Sequence, residues 1–306
     1  MGSPFGTAFV IANGRAGKGL VGKDSGMLPR ILGEAGIPFD LHLTERRGHA
    51  VDLAREAIEG GSRYLVAVGG DGTIHEVVNG MMGESGPRNP EAVLGVLSAG
   101  SGSDYIRTFG LPAKPVDAVE HLKGDTTLTV DVGRITYRQD GGEAVRYFPN
   151  IGEAGFGGEV VRRAERLPRR LGRVRYLLGF WMVLGTCKAT EGTVAMDAHS
   201  YEGRITNLVV ANAQFYGGGM HVAPKAHPGD GAFDVLIQVG TKGDYVAAIT
   251  KVYKGEHIPS PAIKTFLSKR VEITTREPLQ IEADGEILGR TPAVFEICPG
   301  TLRLKI

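Results

Sequence analysis

The chain has 306 residues, 42% of them hydrophobic, and sets 35 Lys and Arg against 34 Asp and Glu for a formal net charge of +1. That length allows two buried cores, the hydrophobic content favours a folded over a disordered protein, and the balanced charge gives no global electrostatic case for nucleic acid. Glycine, at 46 residues, stands at about twice the ~7% of average proteins, which points to many tight turns.

The N-terminal segment MGSPFGTAFVIANG has no basic region before its apolar stretch, so no signal peptide is expected. Thr7 to Ala12 predicts a first strand, followed by the glycine-rich loop Asn13-Gly14-Arg15-Ala16-Gly17-Lys18-Gly19. Such a loop can cradle phosphate, and it is equally what a solvated turn looks like. Met27 to Ala35 predicts a helix, with Pro29 tolerable only in its first turn, and Phe39 to Leu43 the next strand. Thr44 to Ala50, which includes His49, then reads as entry to a helix that runs to about Glu59.

Tyr64 to Gly80 is the most informative stretch. An apolar run, Leu65 to Val68, predicts a buried strand; Gly69-Gly70-Asp71-Gly72-Thr73 breaks it, and Ile74, Val77 and Val78 resume at helical spacing. Glycines there are expected to take positive φ and to let an anion approach the main chain, with Thr73 as helix cap. Asp71 is a carboxylate within this anion-favouring turn. It suggests either Mg²⁺ between carboxylate and phosphate or an ordinary turn in which Asp71 hydrogen-bonds the loop.

Val93 to Leu97 predicts another strand that empties into Ser98-Ala99-Gly100-Ser101-Gly102-Ser103-Asp104. Asp104 stands where a helix N-cap would. Alternating strands and helices over residues 7 to 124 argue for a doubly wound parallel sheet, whose ligands bind beyond the carboxyl ends of the strands. Three glycine-rich strand exits would then share one rim.

From Thr126 the pattern turns to period two at Leu128, Val130 and Val132, and further strands are predicted at 146–151, 192–196, 205–211, 233–239, 279–283, 294–297 and 302–306. A mainly antiparallel second domain is expected. A helix is predicted near Thr241 to Lys254, and Asp284-Gly285 is a hairpin turn signal. Between Glu159 and Cys187, seven arginines (Arg162, Arg163, Arg166, Arg169, Arg170, Arg173 and Arg175) precede an apolar run containing Leu177, Leu178, Phe180, Trp181 and Val183. This is either an element that meets anionic lipid and acyl chains or a helix with one cationic face in solvent. The apolar run is too short to span a bilayer, which needs ~20 residues. Cys187 and Cys298, far apart and without a CxxC, suggest reduced thiols and a cytoplasmic setting.

Taken in order, these motifs resemble the diacylglycerol kinase catalytic family, which includes YegS-like lipid kinases, sphingosine kinases and ceramide kinases. The resemblance runs through the Asn13 loop, Thr44 with Gly48-His49-Ala50, Gly69 to Thr73, Gly100 to Asp104, Asn150 to Phe156, Ala223-Pro224-Lys225-Ala226 with Asp230-Gly231, and Asp284-Gly285-Glu286. It implies an N-terminal nucleotide domain (1–125 and 292–306) of the Rossmann-like, NAD-kinase and phosphofructokinase-like type. A β-rich lipid domain (126–291) and an active site in the cleft between the two complete the expectation. ATP and Mg²⁺ are the implied cofactors.

By the same resemblance Asn13, Thr44, Gly69, Gly70, Gly72 and Thr73 would line the nucleotide site. Ser101 and Asp104, Arg169 and Arg175 would contact nucleotide. Asp71 and Asp104 would organise Mg²⁺, Asp230 would hold a structural Mg²⁺, Asp284 would act as general base with Asp71 as its catalytic partner, and Glu286 would be a nearby nucleotide or metal ligand. A lipid at the inner membrane face is the expected partner, with peripheral contact through 162–183, and a sheet edge could pair with a second copy.

Departures refine the expectation. Gly14 stands where the family often has proline, and Ser103 where it usually has asparagine. After Phe156 no aspartate matches the one that holds a sphingoid head group, which ranks diacylglycerol or another neutral lipid above a sphingoid or ceramide-type substrate. A soluble NAD-kinase-like acceptor is a further alternative, without support beyond the shared glycine motif.

Overall fold

The structure is a computed structural model, and it describes residues 4–14, 26–99, 103–139, 141–168, 171 and 174–306. The chain divides into two compact units, 1–132 with 299–306 and 133–298.

The first unit follows from its apolar periodicity. Strands β1 (Ala8–Asn13), β2 (Phe39–Thr44), β3 (Tyr64–Gly69) and a later strand, Val93–Ser98, alternate with helices α1 (Met27–Glu34), α2 (His49–Glu59) and α3 (Asp71–Met81). A small hairpin, β4 (Met82–Gly83) with β5 (Gly86–Pro87), makes Val93–Ser98 the sixth strand, β6. Two short helices follow, α4 (Asp104–Thr108) and α5 (Pro115–Ala118). Apart from that hairpin, the pairings among these strands are parallel: β1 with β2 and β3, and β3 with β6. Both faces are covered, which explains why β3 and β6 are buried at every position instead of alternating. Val10, Leu28, Ile31, Tyr64, Val66 and Leu97 belong to the core on one face.

The second unit is antiparallel. Its strands are β7 (Thr127–Gln139), which starts in the first unit, β8 (Gly142–Phe148), β9 (Ile151–Gly155), β10 (Thr190–Met196), β11 (Ser200–Ile205) and β12 (Asn207–Ala211). After the short β13 (Phe215–Tyr216) and β14 (Met220–His221) come β15 (Phe233–Gln238), β16 (Ile263–Ser268), β17 (Arg270–Thr275), β18 (Gln280–Ala283) and β19 (Glu286–Lys305). One run of strands is β16-β15-β12-β9-β18-β19, and β17 ties β10 and β11 to β19. Phe148, Phe233 and Phe295 pack together in its core. Helices α6 (Phe156–Glu165), α7 (Val174–Thr186) and α8 (Lys242–Ala248) complete the unit.

Several elements differ from expectation. The segment 205–211 is two strands, with Thr206 between them donating both N–H and O–H to the Gln238 carbonyl. The predicted strands 294–297 and 302–306 are parts of one, β19, which runs on through Pro299 and Gly300. Gly300 keeps its N–H satisfied by donating to Oδ1 of Asp131 at 2.7 Å. The predicted helix over 241–254 ends at Ala248, with only a 3-10 turn at Val252–Lys254.

Candidate active site

In the first unit the parallel register places the predicted residues on one rim. Asn13 lies opposite Thr44, Ala12 opposite Val68, and Gly69 opposite Ser98. Four of these, Asn13, Thr44, Gly69 and Ser98, are final residues of strands that point the same way, so the exits of β1, β2, β3 and β6 open on the carboxyl edge of the sheet.

The glycine turn is built differently from expectation. Gly70 is the N-cap of α3 with φ −95° and ψ −173°, an extended conformation that needs no glycine, and Gly72 is already helical. Thr73 is no cap: it is buried in the first turn, its N–H donating to the Gly70 carbonyl. The glycine that matters sterically is Gly69, where a Cβ would sit 2.7 Å from Cβ of Thr73. Strand and helix can approach this closely only because that atom is absent.

Asp71, the first residue of α3, uses Oδ1 to accept the N–H groups of Asp104 (3.0 Å) and Tyr105 (3.1 Å). It thus stabilises the start of α4, where two amides would otherwise lack partners. Ser103 precedes α4 in the left-handed region at φ 57°, and its hydroxyl meets that of Ser98. Asp104 is buried. Asp71 and Asp104 are therefore brought together. The sequence reading did not find Glu76, which serves α2 in the same way: Gly48 N–H donates to Oε1 (2.9 Å) and Ala50 N–H to Oε2 (3.1 Å). His49, within the same entry, accepts the Glu45 N–H on Nδ1 at 3.1 Å. Ser101 and Arg169 lie outside the described residues.

In the second unit, Ala283 pairs with Glu286 across the two-residue turn Asp284-Gly285, whose φ values of 50° and 85° are those of a type I′ hairpin. Asp284 is anchored twice to Ile151: its N–H donates to the Ile151 carbonyl (3.0 Å), and its Oδ1 accepts the Ile151 N–H (2.9 Å). Glu286 opens β19 directly after the turn. Asp230 sits in a separate turn, exposed, its Oδ1 accepting the Ala232 N–H at 3.0 Å. Burial and the nearby Asp230 carboxylate push Asp234 up to about 6. Arg175 donates to the Tyr176 hydroxyl (3.0 Å) and lies 4.8 Å from that ring's centroid.

Beside α6 and α7 a cavity of about 280 Å³ is lined by Phe156, Val183 and Leu279 together with Arg163, Lys188 and Thr206. Nε of Arg163 is buried there without a hydrogen-bond partner. On α7, Val174, Leu177, Leu178, Trp181 and Met182 are all exposed, at a spacing that sets them on one face. Among the described residues no helix is long and apolar enough to cross a membrane, and no cluster of three or more His, Cys, Asp or Glu side chains could hold a metal.

Comparison with known proteins places the whole arrangement. Residues 7–135 match the family model described as the diacylglycerol kinase catalytic domain, and residues 150–306 match the YegS C-terminal NAD kinase beta sandwich-like domain. The chain is 28% identical to "Diacylglycerol kinase" of Bacillus subtilis (strain 168) over 291 residues, 94% of this chain and 92% of that one. It is 31% identical over 278 residues to the "Probable lipid kinase YegS-like" of Pseudomonas aeruginosa, 89% of this chain and 86% of that one. A crystal structure of a diacylglycerol kinase from Bacillus anthracis str. Sterne has the same fold, with a TM-score of 0.71 at 21% identity, covering 99% of this chain and 97% of the other. With both family models matched along the chain and relatives of that kind aligned over most of its length, the chain belongs to the family of diacylglycerol and YegS-like lipid kinases and is itself a kinase.

Proposed function

We propose that this kinase transfers the γ-phosphate of ATP, bound with Mg²⁺, to a hydroxyl of diacylglycerol or a related neutral membrane lipid. The observation that carries the nucleotide half is the Asp71–Asp104 pairing on the carboxyl edge of the parallel sheet. A Mg²⁺–nucleotide complex needs only one or two protein carboxylates, since phosphate oxygens and water complete the shell. Asp71 and Asp104 fit that donor set, with Asn13, Thr44, Gly69, Gly70, Gly72 and Thr73 around the nucleotide. Ser101, Arg169, Arg175 and Glu286 are kept as further nucleotide contacts, and Asp230 as the ligand of a structural Mg²⁺. The metal supplies charge neutralisation at the phosphoryl oxygens.

Asp284 is the proposed general base. Its turn is rigid, its Oδ1 is fixed by Ile151 N–H, and an acceptor hydroxyl brought to this carboxylate would lose its proton as the new bond forms.

The apolar face of α7 supports a membrane lipid as acceptor. Leu177, Trp181 and their neighbours would enter the headgroup boundary of a bilayer, with Arg162 and Arg166 toward anionic lipid. A neutral lipid is favoured over a sphingoid base because Glu159, the carboxylate in the first turn of α6, is already paired with Arg162 (Oε2 to Nε, 2.9 Å). The test is transfer of labelled γ-phosphate from ATP and Mg²⁺ into a total membrane lipid extract, with Asp71→Ala beside the wild type. Labelled phosphatidic acid made only by the wild type is the expected result. Label in a soluble metabolite pool instead would overturn it.

A further inference from the structure

The register of β9 and β18 sets Glu153 opposite Glu282, so both side chains leave the sheet on the same face. Both are buried, at 0% and 2% exposure. Oε2 of Glu282 accepts the Gly285 N–H at 2.8 Å and so holds the second residue of the turn that carries Asp284. Oε1 of Glu153 accepts from Nδ2 of Asn207 at 3.4 Å, and the Tyr216 hydroxyl also engages this carboxyl. Oε2 of Glu153 is buried without a hydrogen-bond partner and lies against the first turn of α6, where a Cβ on Gly157 would sit 2.6 Å from Cδ of Glu153. Glycine at 157 makes room for the carboxyl.

Two carboxylates placed this way cannot both stay ionised. The groups that act on the pair are Tyr216 from β13, Tyr245 from α8, Asp284 from the turn and Glu286 from β19, all acids or phenols. Among the described residues neither glutamate has an ion pair with Lys or Arg. A buried charge without a cation takes up a proton, and adjacent acids titrate as a unit. Burial pushes Glu153 up to about 7, and burial together with the Glu153 charge pushes Glu282 well above the usual carboxylate range.

We infer that Glu153 and Glu282 hold a proton as a pair and, as positioning residues, fix the Asp284–Gly285 turn in the geometry used by the phosphoryl transfer proposed above, on which this role rests. With the proton in place the pair carries at most one negative charge, and Glu282 stays on the Gly285 N–H. When the proton leaves to water at alkaline pH, the like charges repel and the hold on the turn is lost.

The test uses full-length wild type, Glu153→Gln, Glu282→Gln and Glu282→Ala. Carboxyl ¹³C shifts of labelled glutamate are followed against pH, hydrogen exchange is followed at Gly285, and kcat is followed against pH with ATP, Mg²⁺ and dioleoylglycerol micelles. The wild type is expected to show a glutamate carboxyl still protonated at neutral pH, a signal altered in Glu153→Gln and Glu282→Gln. Gly285 should exchange about tenfold faster in Glu282→Ala, the loss of one hydrogen bond, while Glu282→Gln restores protection. The alkaline fall in kcat should be absent from Glu282→Gln. Glutamates that all titrate in the ordinary range, or a Gly285 amide unmoved in Glu282→Ala, would overturn the inference. The carboxyl and exchange readouts need no turnover, so a wild type that phosphorylates no lipid defeats the functional reading separately.

Discussion

Oδ1 of Asp71 accepts the main-chain N–H of Asp104 at 3.0 Å, so one carboxylate on α3 both faces the carboxyl edge of the sheet and ties down the start of α4. Stability and catalysis can be separated at this residue. Asp71→Asn keeps an oxygen acceptor for the amides and should melt within a degree or two of wild type. Asp71→Ala should lose about 1 kcal/mol, the usual worth of such a cap. Both should lose roughly 10³-fold in kcat if the charge organises Mg²⁺. Thermal melts beside phosphotransfer rates check this, and an Asn variant with near-normal turnover would refute the metal role.

Gly69 makes a purely steric prediction. A methyl group there meets Cβ of Thr73 at 2.7 Å inside a buried strand–helix junction. Gly69→Ala should destabilise by about 1–3 kcal/mol, the cost of overpacking a closed core. Pairing it with Thr73→Ala, which removes the Oγ1 that the new methyl would meet first, should recover part of the loss. Urea denaturation of the single and double variants measures the coupling, and strict additivity would show that the two side chains do not meet.

Asp284 occupies a left-handed turn position that aspartate, asparagine and glycine tolerate best, and it anchors Ile151 through Oδ1. Asp284→Asn preserves both features and removes only the base. It should fold with wild-type stability and lose about 10²- to 10⁴-fold in kcat, the range expected for a general base. Unchanged kcat with a raised KM would reassign Asp284 to binding.

Much of this was legible from residue order because the signals are local. Strand Leu65–Val68, the glycine turn after it, and the Asp284-Gly285 hairpin each sit within a few residues, and the parallel register then brings Asn13 and Thr44 to the same edge as Gly69. What was missed depends on contacts between distant segments. Glu76 looks like a solvent-facing helical residue until its carboxylate is seen on the amides of Gly48 and Ala50. Glu153 and Glu282 read as the polar positions of alternating strands, yet the face they occupy is closed by α6, whose Gly157 and Gly158 leave space for Glu153 and Gln280. The helix cap was misplaced at Thr73 because glycine and aspartate are poor helix formers in general, a propensity that the Gly69–Thr73 packing overrides.

The exposed face of α7 makes a membrane prediction. Leu177 and Trp181 are 51% and 48% exposed one turn apart, so Leu177→Glu and Trp181→Glu should leave the melting temperature unchanged. Each removes an apolar group worth about 1.5–3 kcal/mol on burial, so binding to vesicles of phosphatidylglycerol and phosphatidylcholine should weaken tenfold or more. Added salt should weaken wild-type binding too, through the arginines. Co-sedimentation that is equal for wild type and variants would remove α7 from the membrane surface.

The pH dependence of stability follows from the buried glutamates, and its sign is set by their direction of shift. In the unfolded chain Glu153 titrates near 4.5, whereas in the folded protein burial pushes it up to about 7. Between these values the folded state binds more protons than the unfolded state, so stability must fall as pH rises through this window. A shift of that size is worth on the order of 3 kcal/mol, and Glu282, also raised well above the usual range by burial and by the Glu153 charge, adds to the fall in the same direction. Glu153→Gln removes one titrating group and lets Glu282 ionise without a charged neighbour. The variant should therefore gain relative to wild type on going from pH 5 to pH 8, with the two curves closest at the acid end. Urea melts across that range measure the difference directly. Parallel stability curves for wild type and variant would mean that Glu153 is already ionised in the folded protein at pH 5, and the acid pair would have to be abandoned.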